Sequence, residues 1–196
     1  AQLNFTQLHG GSQWSRASLC AVIAGERAAS HLSGLTFARI KQHIDQRVEV
    51  RHLKGLSESS QLFKGVLKDQ SRGVLNGKIF IAKDAQKVSS MQLNHNLLLS
   101  PGAEADTKPE LEIYADDVKA NHGASIGRLD EAKVFYLMSR GIPRAQAQQM
   151  LAHAFAGDVL MKIGPIELRR LAEERVRAWL PDFSSEMEQS MSGGDM

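Results

Sequence analysis

The stretch Ala105–Gly127, ADTKPELEIYADDVKANHGASIG, decides how the chain is read. It joins a Thr-Lys-Pro entry, a short alternating strand, a paired-acid turn and a second strand. In the second strand the even positions are Val118, Ala120, His122, Ala124 and Ile126, all apolar except the histidine. The odd positions, Lys119, Asn121, Gly123, Ser125 and Gly127, are polar or small. Side chains of an extended chain alternate between faces. His122 is therefore expected to point the same way as the core residues. An imidazole on an apolar face needs a hydrogen-bond partner or a ligand. The pattern by itself leaves a satisfied core histidine and a ligating one both open.

Working upstream, residues 1 to about 128 read as many short strands, among them Trp14–Ala24, Leu35–Ile40, Arg47–Leu53, Gln61–Leu67, Arg72–Ala82, Met91–Ser100 and Glu110–Tyr114. Val48 and Val50 face one way, with Arg47, Glu49 and Arg51 opposite. Leu75, Ile79 and Ile81 form another apolar set, and Leu93, Leu97 and Leu99 a third, with His95 among them. Turn formers such as Ser33-Gly34, Pro101-Gly102 and Asp116-Asp117 separate the runs. Apolar strands recur at roughly 18–22 residues, which suggests one coil of a parallel β-helix. A two-sheet sandwich competes, but its hairpins favour Asn-Gly turns, and Asn76-Gly77 sits inside an apolar run.

Downstream the period changes near Leu129. Asp130 is placed as an N-cap, followed by Val134, Phe135, Leu137 and Met138 at helical spacing, and Gly141 supplies the stop. A second helix is expected from Pro143 with the stripe Ala147, Met150, Leu151, Ala154 and Phe155, ended or bent by Gly157. A third starts near Pro165, with Leu168, Ala172, Val176, Trp179 and Leu180 on one face. The expected division is a β-helix over 1–128, a helical subdomain over 129–183 and a disordered tail over 184–196.

Composition narrows the function classes. With 24 basic and 22 acidic residues the net charge is +2, so nothing global points to nucleic acid. No run of about 18 apolar residues suggests a membrane span. The start lacks a signal-peptide layout and an initiator Met and opens inside an alternation at Leu3 and Phe5, so a fragment missing its upstream part is expected. The single Cys20 cannot form an internal disulfide, which fits a reducing, cytoplasmic setting, and its default reading is a buried, inert thiol. His31, His43, His52 and His153 lack ligand-spaced partners and read as surface or packing residues. Asp116 and Asp117 read as a turn, because neighbouring strand positions face opposite ways. There is no phosphate loop and no nucleophile elbow.

The run from Val74 to Ile142, with ADTKPELEIYADDVK followed by HGA and G-x-L-D-E, resembles the SufB/SufD family of iron–sulfur cluster assembly scaffolds. The likeness is specific from about Arg72 to Ile142 and looser upstream to about Leu8 and through the helices. It is nearer the SufD branch, since the SufB strand that matches Met91–Leu99 carries a cysteine and LNHNLLL has none. The resemblance implies a right-handed parallel β-helix followed by a small helical segment. It implies a non-enzymatic scaffold, pairing with a SufB-like paralogue and docking a SufC-like ABC ATPase through the terminal helices. A self-dimer of the isolated fragment is the alternative to that pairing. No cofactor is implied to bind tightly to this chain alone; a nascent Fe-S cluster would be held transiently in the full complex. The family's histidine at the cluster-building interface matches His122, the implied metal ligand. Many SufD-like sequences read K-C-[ST]-H-G where this chain has Lys119, Ala120, Asn121, His122, Gly123, so the nearby thiol is missing. Tyr136 and Trp179 are the candidate partner-binding aromatics, with Phe135 and Phe155 expected in the core. The rival readings are a β-helix carbohydrate-active enzyme and a purely structural β-helix.

Overall fold

The computed structural model describes residues 1–180. Nine strands precede three helices. The strands are β1 (Gln2–Gly10), β2 (Trp14–Ile23), β3 (Ala29–Ala38), β4 (His43–His52), β5 (Glu58–Leu67), β6 (Arg72–Ile81), β7 (Val88–Leu98), β8 (Glu104–Ile113) and β9 (Val118–Arg128). The helices are α1 (Glu131–Met138), α2 (Arg144–Leu160) and α3 (Ile166–Trp179). Odd strands form one sheet, ordered β1-β3-β5-β7-β9, and even strands the other, ordered β2-β4-β6-β8. The chain alternates between sheets and pairs in parallel with the strand two before it. This is a parallel β-helix of about four turns, as the sequence suggests, and not a sandwich.

The register corrects the expected repeat. Gln2 pairs with Ala29, Ala29 with Glu58 and Glu58 with Ser89. Trp14, His43, Arg72 and Glu104 align likewise in the other sheet. A coil is therefore about 27–32 residues. The shorter recurrence mixed two kinds of step: Ile79 on β6 to Leu97 on β7 crosses between the sheets, whereas Leu97 to Val118 runs from the end of β7 to the start of β9 within the odd sheet.

Each coil turns at residues held in the left-handed region. Arg27, Leu56 and Lys87 precede odd strands, with φ of 54–58°, and Ile40 and Asp69 precede even ones, with φ of 61° and 62°. These non-glycine residues are tolerated because the corners stack. Leu56 N donates to Gln86 O at 2.9 Å and Gln70 N to Ile40 O at 2.9 Å. Asp69 accepts from Ile40 N at 2.8 Å and its own N–H donates to Ser100 Oγ at 2.9 Å. A corner residue's strain is thus offset by bonds to the next coil.

Inside, Leu32, Val48, Val50, Phe63 and Leu75 form one apolar cluster, and Ile79, Ile81, Ala85, Val88 and Ala115 another. Gly34 makes room for Phe63, whose ring lies 2.4 Å from where a Cβ would stand. The interior is also polar. Ser59, Gln61, Ser90, Gln92 and Asn94 are all buried. Over Ser90–His95, β7 is therefore in the opposite phase to the expected one: Ser90, Gln92 and Asn94 point inward, while Leu93 and His95 are half-buried on the other face; Leu97 is buried as expected. The Gln92 amide occupies the space left by the missing side chain of Gly77, and Asn94 Nδ2 donates to Phe63 O at 3.1 Å. The Asn94 bond satisfies part of the buried amide polarity, whereas Gln92 Oε1 and both polar side-chain atoms of Gln61 are buried without a hydrogen-bond partner. Cys20 is likewise exposed, not buried. On β2 it is Ala21 and Ile23 that join the core, which turns Cys20 and Val22 outward.

The β-rich unit covers Ala1–Gly127 and a second compact unit begins at Arg128. Asp130 caps α1, accepting from Ala132 N at 2.9 Å, and Gly141 ends that segment with φ +84°. α2 runs through Gly157 to Leu160 rather than ending there. Small residues let its neighbours approach: Ala147, Ala152 and Ala156 are fully buried, with Val134 and Val176. Of the expected stripes, Met150 and Leu168 are exposed instead, and Phe135 is 71% exposed where a core position was expected. The expected tail at 184–196 lies outside the described residues.

Candidate functional site

β9 is the edge strand of the odd sheet, with β7 on one side. Its offset from β7 is fixed by two contacts. His95 Nδ1 meets Ser125 Oγ at 2.7 Å, 30 residues apart, and a Cβ on Gly123 would touch Leu93 at 3.2 Å. Val118 and Ala120 pack on the Ile79–Ile81 cluster, so the even positions of β9 do start on the inner face. His122, Ala124 and Ile126 continue that phase but are exposed, Ile126 by 47%. The inward imidazole expected from the alternation is thus corrected: His122 stands on the inner-face side of the last coil, but open to solvent. An inner face is buried only when the opposite sheet lies across from it, and the even sheet ends at β8 among the described residues. Ile113, the last residue of β8, and Tyr114, just past it, are exposed too.

His122 has no hydrogen-bond partner among the described residues. A free imidazole nitrogen can ligate iron or another soft-to-borderline metal. No group of three His, Cys, Asp or Glu side chains that could hold a metal occurs among the described residues. His122 can therefore give one ligand, and Ala120 beside it gives none. Asp116 and Asp117 form the turn before β9: Lys87 N donates to Asp117 O at 2.6 Å, and Asp117 N to Gln86 Oε1 at 2.9 Å.

The aromatics of the helical unit divide. Tyr136 is 55% exposed, with the Arg140 guanidinium 4.6 Å from its ring centre. Phe135 stands out beside it, whereas Trp179 is half-buried and engaged in contacts. The surface pair of α1 is thus Phe135 and Tyr136, of which sequence reasoning selected only the second.

Sequence reasoning also placed His52 too loosely. It is fully buried and in phase with Val48 and Val50, a signal present in the alternation. Ser57 Oγ donates to Lys54 O at 2.8 Å, so His52 Nδ1 must donate to that hydroxyl, at 2.8 Å. Nε2 then accepts from Ser59 Oγ at 2.9 Å, and Ser59 meets Ser90 at 2.7 Å. Burial disfavours the charged ring and lowers its pKa to about 4. Burial lowers that of His9 as well; its Nδ1 accepts from Gln46 Nε2 at 3.1 Å. These rings are structural.

The family described as SUF system FeS cluster assembly, SufBD core domain, matches residues 1–155. The iron-sulfur cluster assembly protein SufD of Escherichia coli (strain K12) is 41% identical over 157 residues, covering 80% of this chain and 37% of that protein. A SufBD family protein of Synechocystis sp. is 37% identical over 155 residues, covering 78% and 34%. The SufD protein of Bacillus subtilis (strain 168) is 39% identical over 119 residues, covering 61% and 27%. The chain spans little more than a third of these relatives' length at most.

Proposed function

This chain belongs to the SufB/SufD family, on its SufD branch, and from that premise we propose that it forms part of a scaffold subunit for iron–sulfur cluster assembly. The observation that carries the reading is the uncovered last coil. It presents an edge strand, an exposed apolar set (Ala124, Ile126, Ile113) and the free ring of His122 on one end of the β-helix. An unpaired strand edge beside apolar surface is a docking feature. The partner it suits is a second β-helix of the same family, a SufB-like paralogue, whose own ligands would join His122 around the nascent cluster. The cluster is then substrate, built where the two chains meet. The role asks no bond-making of this chain: its residues present a ligand, exclude water once covered, and hold the seam.

The exposed Phe135–Tyr136 pair suits docking of a SufC-like ATPase, whose motion would reach the seam through the helical unit. Aromatic residues standing in solvent are strong anchors when a partner covers them. The proposed setting is the cytoplasm. No described helix is long and apolar enough to cross a membrane. The test is reconstitution of the full-length protein with its SufB- and SufC-like partners. Pull-down of the ATPase should fall at least ten-fold in a Phe135→Ser/Tyr136→Ser variant with unchanged helical content. Unchanged capture would remove the helices from the account.

A further inference from the structure

Neighbouring strands of the odd sheet bring side chains of one row into hydrogen-bond reach. Thr6 meets Ser33 at 2.7 Å and Ser59 meets Ser90 at 2.7 Å, each pair in register. Two histidines do the same. His31 Nδ1 meets the Oγ of its register partner Ser60 at 2.8 Å, and His95 Nδ1 meets Ser125 Oγ at 2.7 Å. On both rings it is Nδ1 that faces the neighbour's oxygen. Adjacent strands lie about 4.8 Å apart, so two side chains projecting from one row need only lean together to bond.

His122 stands in that relation to Gln92. The 30-residue offset of His95 and Ser125 sets the two in one row, and both belong to the inward phase of their strands. Gln92 is 1% exposed, and its Oε1 has no hydrogen-bond partner. The nitrogen end of the amide lies against Gly77 of the opposite sheet, in the space a Cβ would fill. Gln61, the register partner of Gln92 one coil further in, does not supply the missing donor, since its Nε2 is unpartnered too. A buried carbonyl oxygen without a donor is costly, and so is an imidazole N–H taken out of water without an acceptor. The two deficits complement each other. In the open coil solvent can serve the ring; once the coil is covered, the Gln92 oxygen is the acceptor beside it.

We propose that Gln92 is a positioning residue for His122: when a partner covers the last coil, Gln92 Oε1 accepts the Nδ1–H of the ring and leaves the Nε2 lone pair for the nascent cluster. This rests on the reading of His122 as a ligand. Gln92 touches no iron itself. It fixes which nitrogen carries the proton and how the ring is turned, as an acceptor behind a metal-bound imidazole does. Gly77 completes the arrangement, because any side chain there would displace the amide.

The experiment uses the full-length protein, labelled with 15N at histidine, assembled with unlabelled SufB- and SufC-like partners. Solid-state 15N spectra of the iron-free complex report which nitrogen of His122 is protonated, its signals being identified by their loss in His122→Ala. The expected result is a proton on Nδ1 in the parent and on Nε2 in Gln92→Leu, which has no acceptor to offer. After reconstitution with iron and sulfide, Gln92→Leu should retain at least ten-fold less iron per complex than the parent. Gln92→Glu, which keeps an acceptor at the same reach, should retain at least half the parent's iron. Both variants should match the parent in circular dichroism. The proposal is overturned if His122 of the parent carries its proton on Nε2, if Gln92→Leu keeps the parent's protonation or its iron, or if Gln92→Glu retains no more iron than Gln92→Leu. Parent levels of iron in His122→Ala would instead remove the ligand reading itself, so the two failures are told apart.

Discussion

Gln92 on β7 and His122 on β9 occupy the same position on neighbouring strands of one sheet, given the offset of 30 residues between His95 and Ser125. Gln92 is 1% exposed, and His122 is open to solvent. The alternation that turns each side chain inward is the same; what differs is whether anything lies across from it. A solenoid's interior coils bury their inner face automatically, and its last coil offers that face to whatever comes next. A polar residue in the middle meets only the chain itself: His52 is satisfied by Ser57 and Ser59, while Gln92 Oε1 is buried without a partner. A polar residue at the end is available to a ligand.

The largest expected contrast is in apolar truncations. Phe63→Ala, in the middle coils, should cost about 3–5 kcal/mol in urea unfolding. Ile126→Ala, at the open end, should cost under about 0.5 kcal/mol in this chain alone. Equal costs would mean that the last coil is covered. Next comes acidity. His52 has a folded pKa lowered to about 4 from 6.5, so the folded state binds fewer protons. Its contribution is therefore intact above pH 6.5 and is lost as pH falls through about 4, by roughly 3 kcal/mol in total. A His52→Gln variant should lose that slope in unfolding measured between pH 4 and 7. Gly34→Ala should cost about 1–3 kcal/mol by driving a methyl into the Phe63 ring. The smallest change is at a corner: Ile40→Gly, relieving φ of 61° at an exposed position, should stabilise by about 0.5–1 kcal/mol. A loss instead would show that the corner side chain packs against something.

The sequence made the even sheet legible because Val48, Val50, Leu75, Ile79 and Ile81 are apolar residues in strict alternation. It misled on β7 because the interior there is amide and hydroxyl; Gln92 and Asn94 read as outward until Gly77 and Phe63 are set opposite them. The coil length was hidden because the visible recurrence mixed a step between sheets, Ile79 to Leu97, with a step from the end of one strand to the start of the next in the same sheet, Leu97 to Val118. The side of β9 that carries His122 was legible, since Val118 and Ala120 in the same phase pack on the inner cluster. The exposure of His122 was not legible, since that depends on where the opposite sheet ends. Phe135 looked like core from helical spacing, but α1 is short and buries only Val134.

The most direct test of the central claim uses the full-length protein with His122→Ala, reconstituted with its SufB- and SufC-like partners, and measures iron and acid-labile sulfide per complex. The account predicts that the variant folds and assembles like the parent and that its iron and sulfide content falls at least ten-fold. Parent levels of both in the variant complex would contradict it.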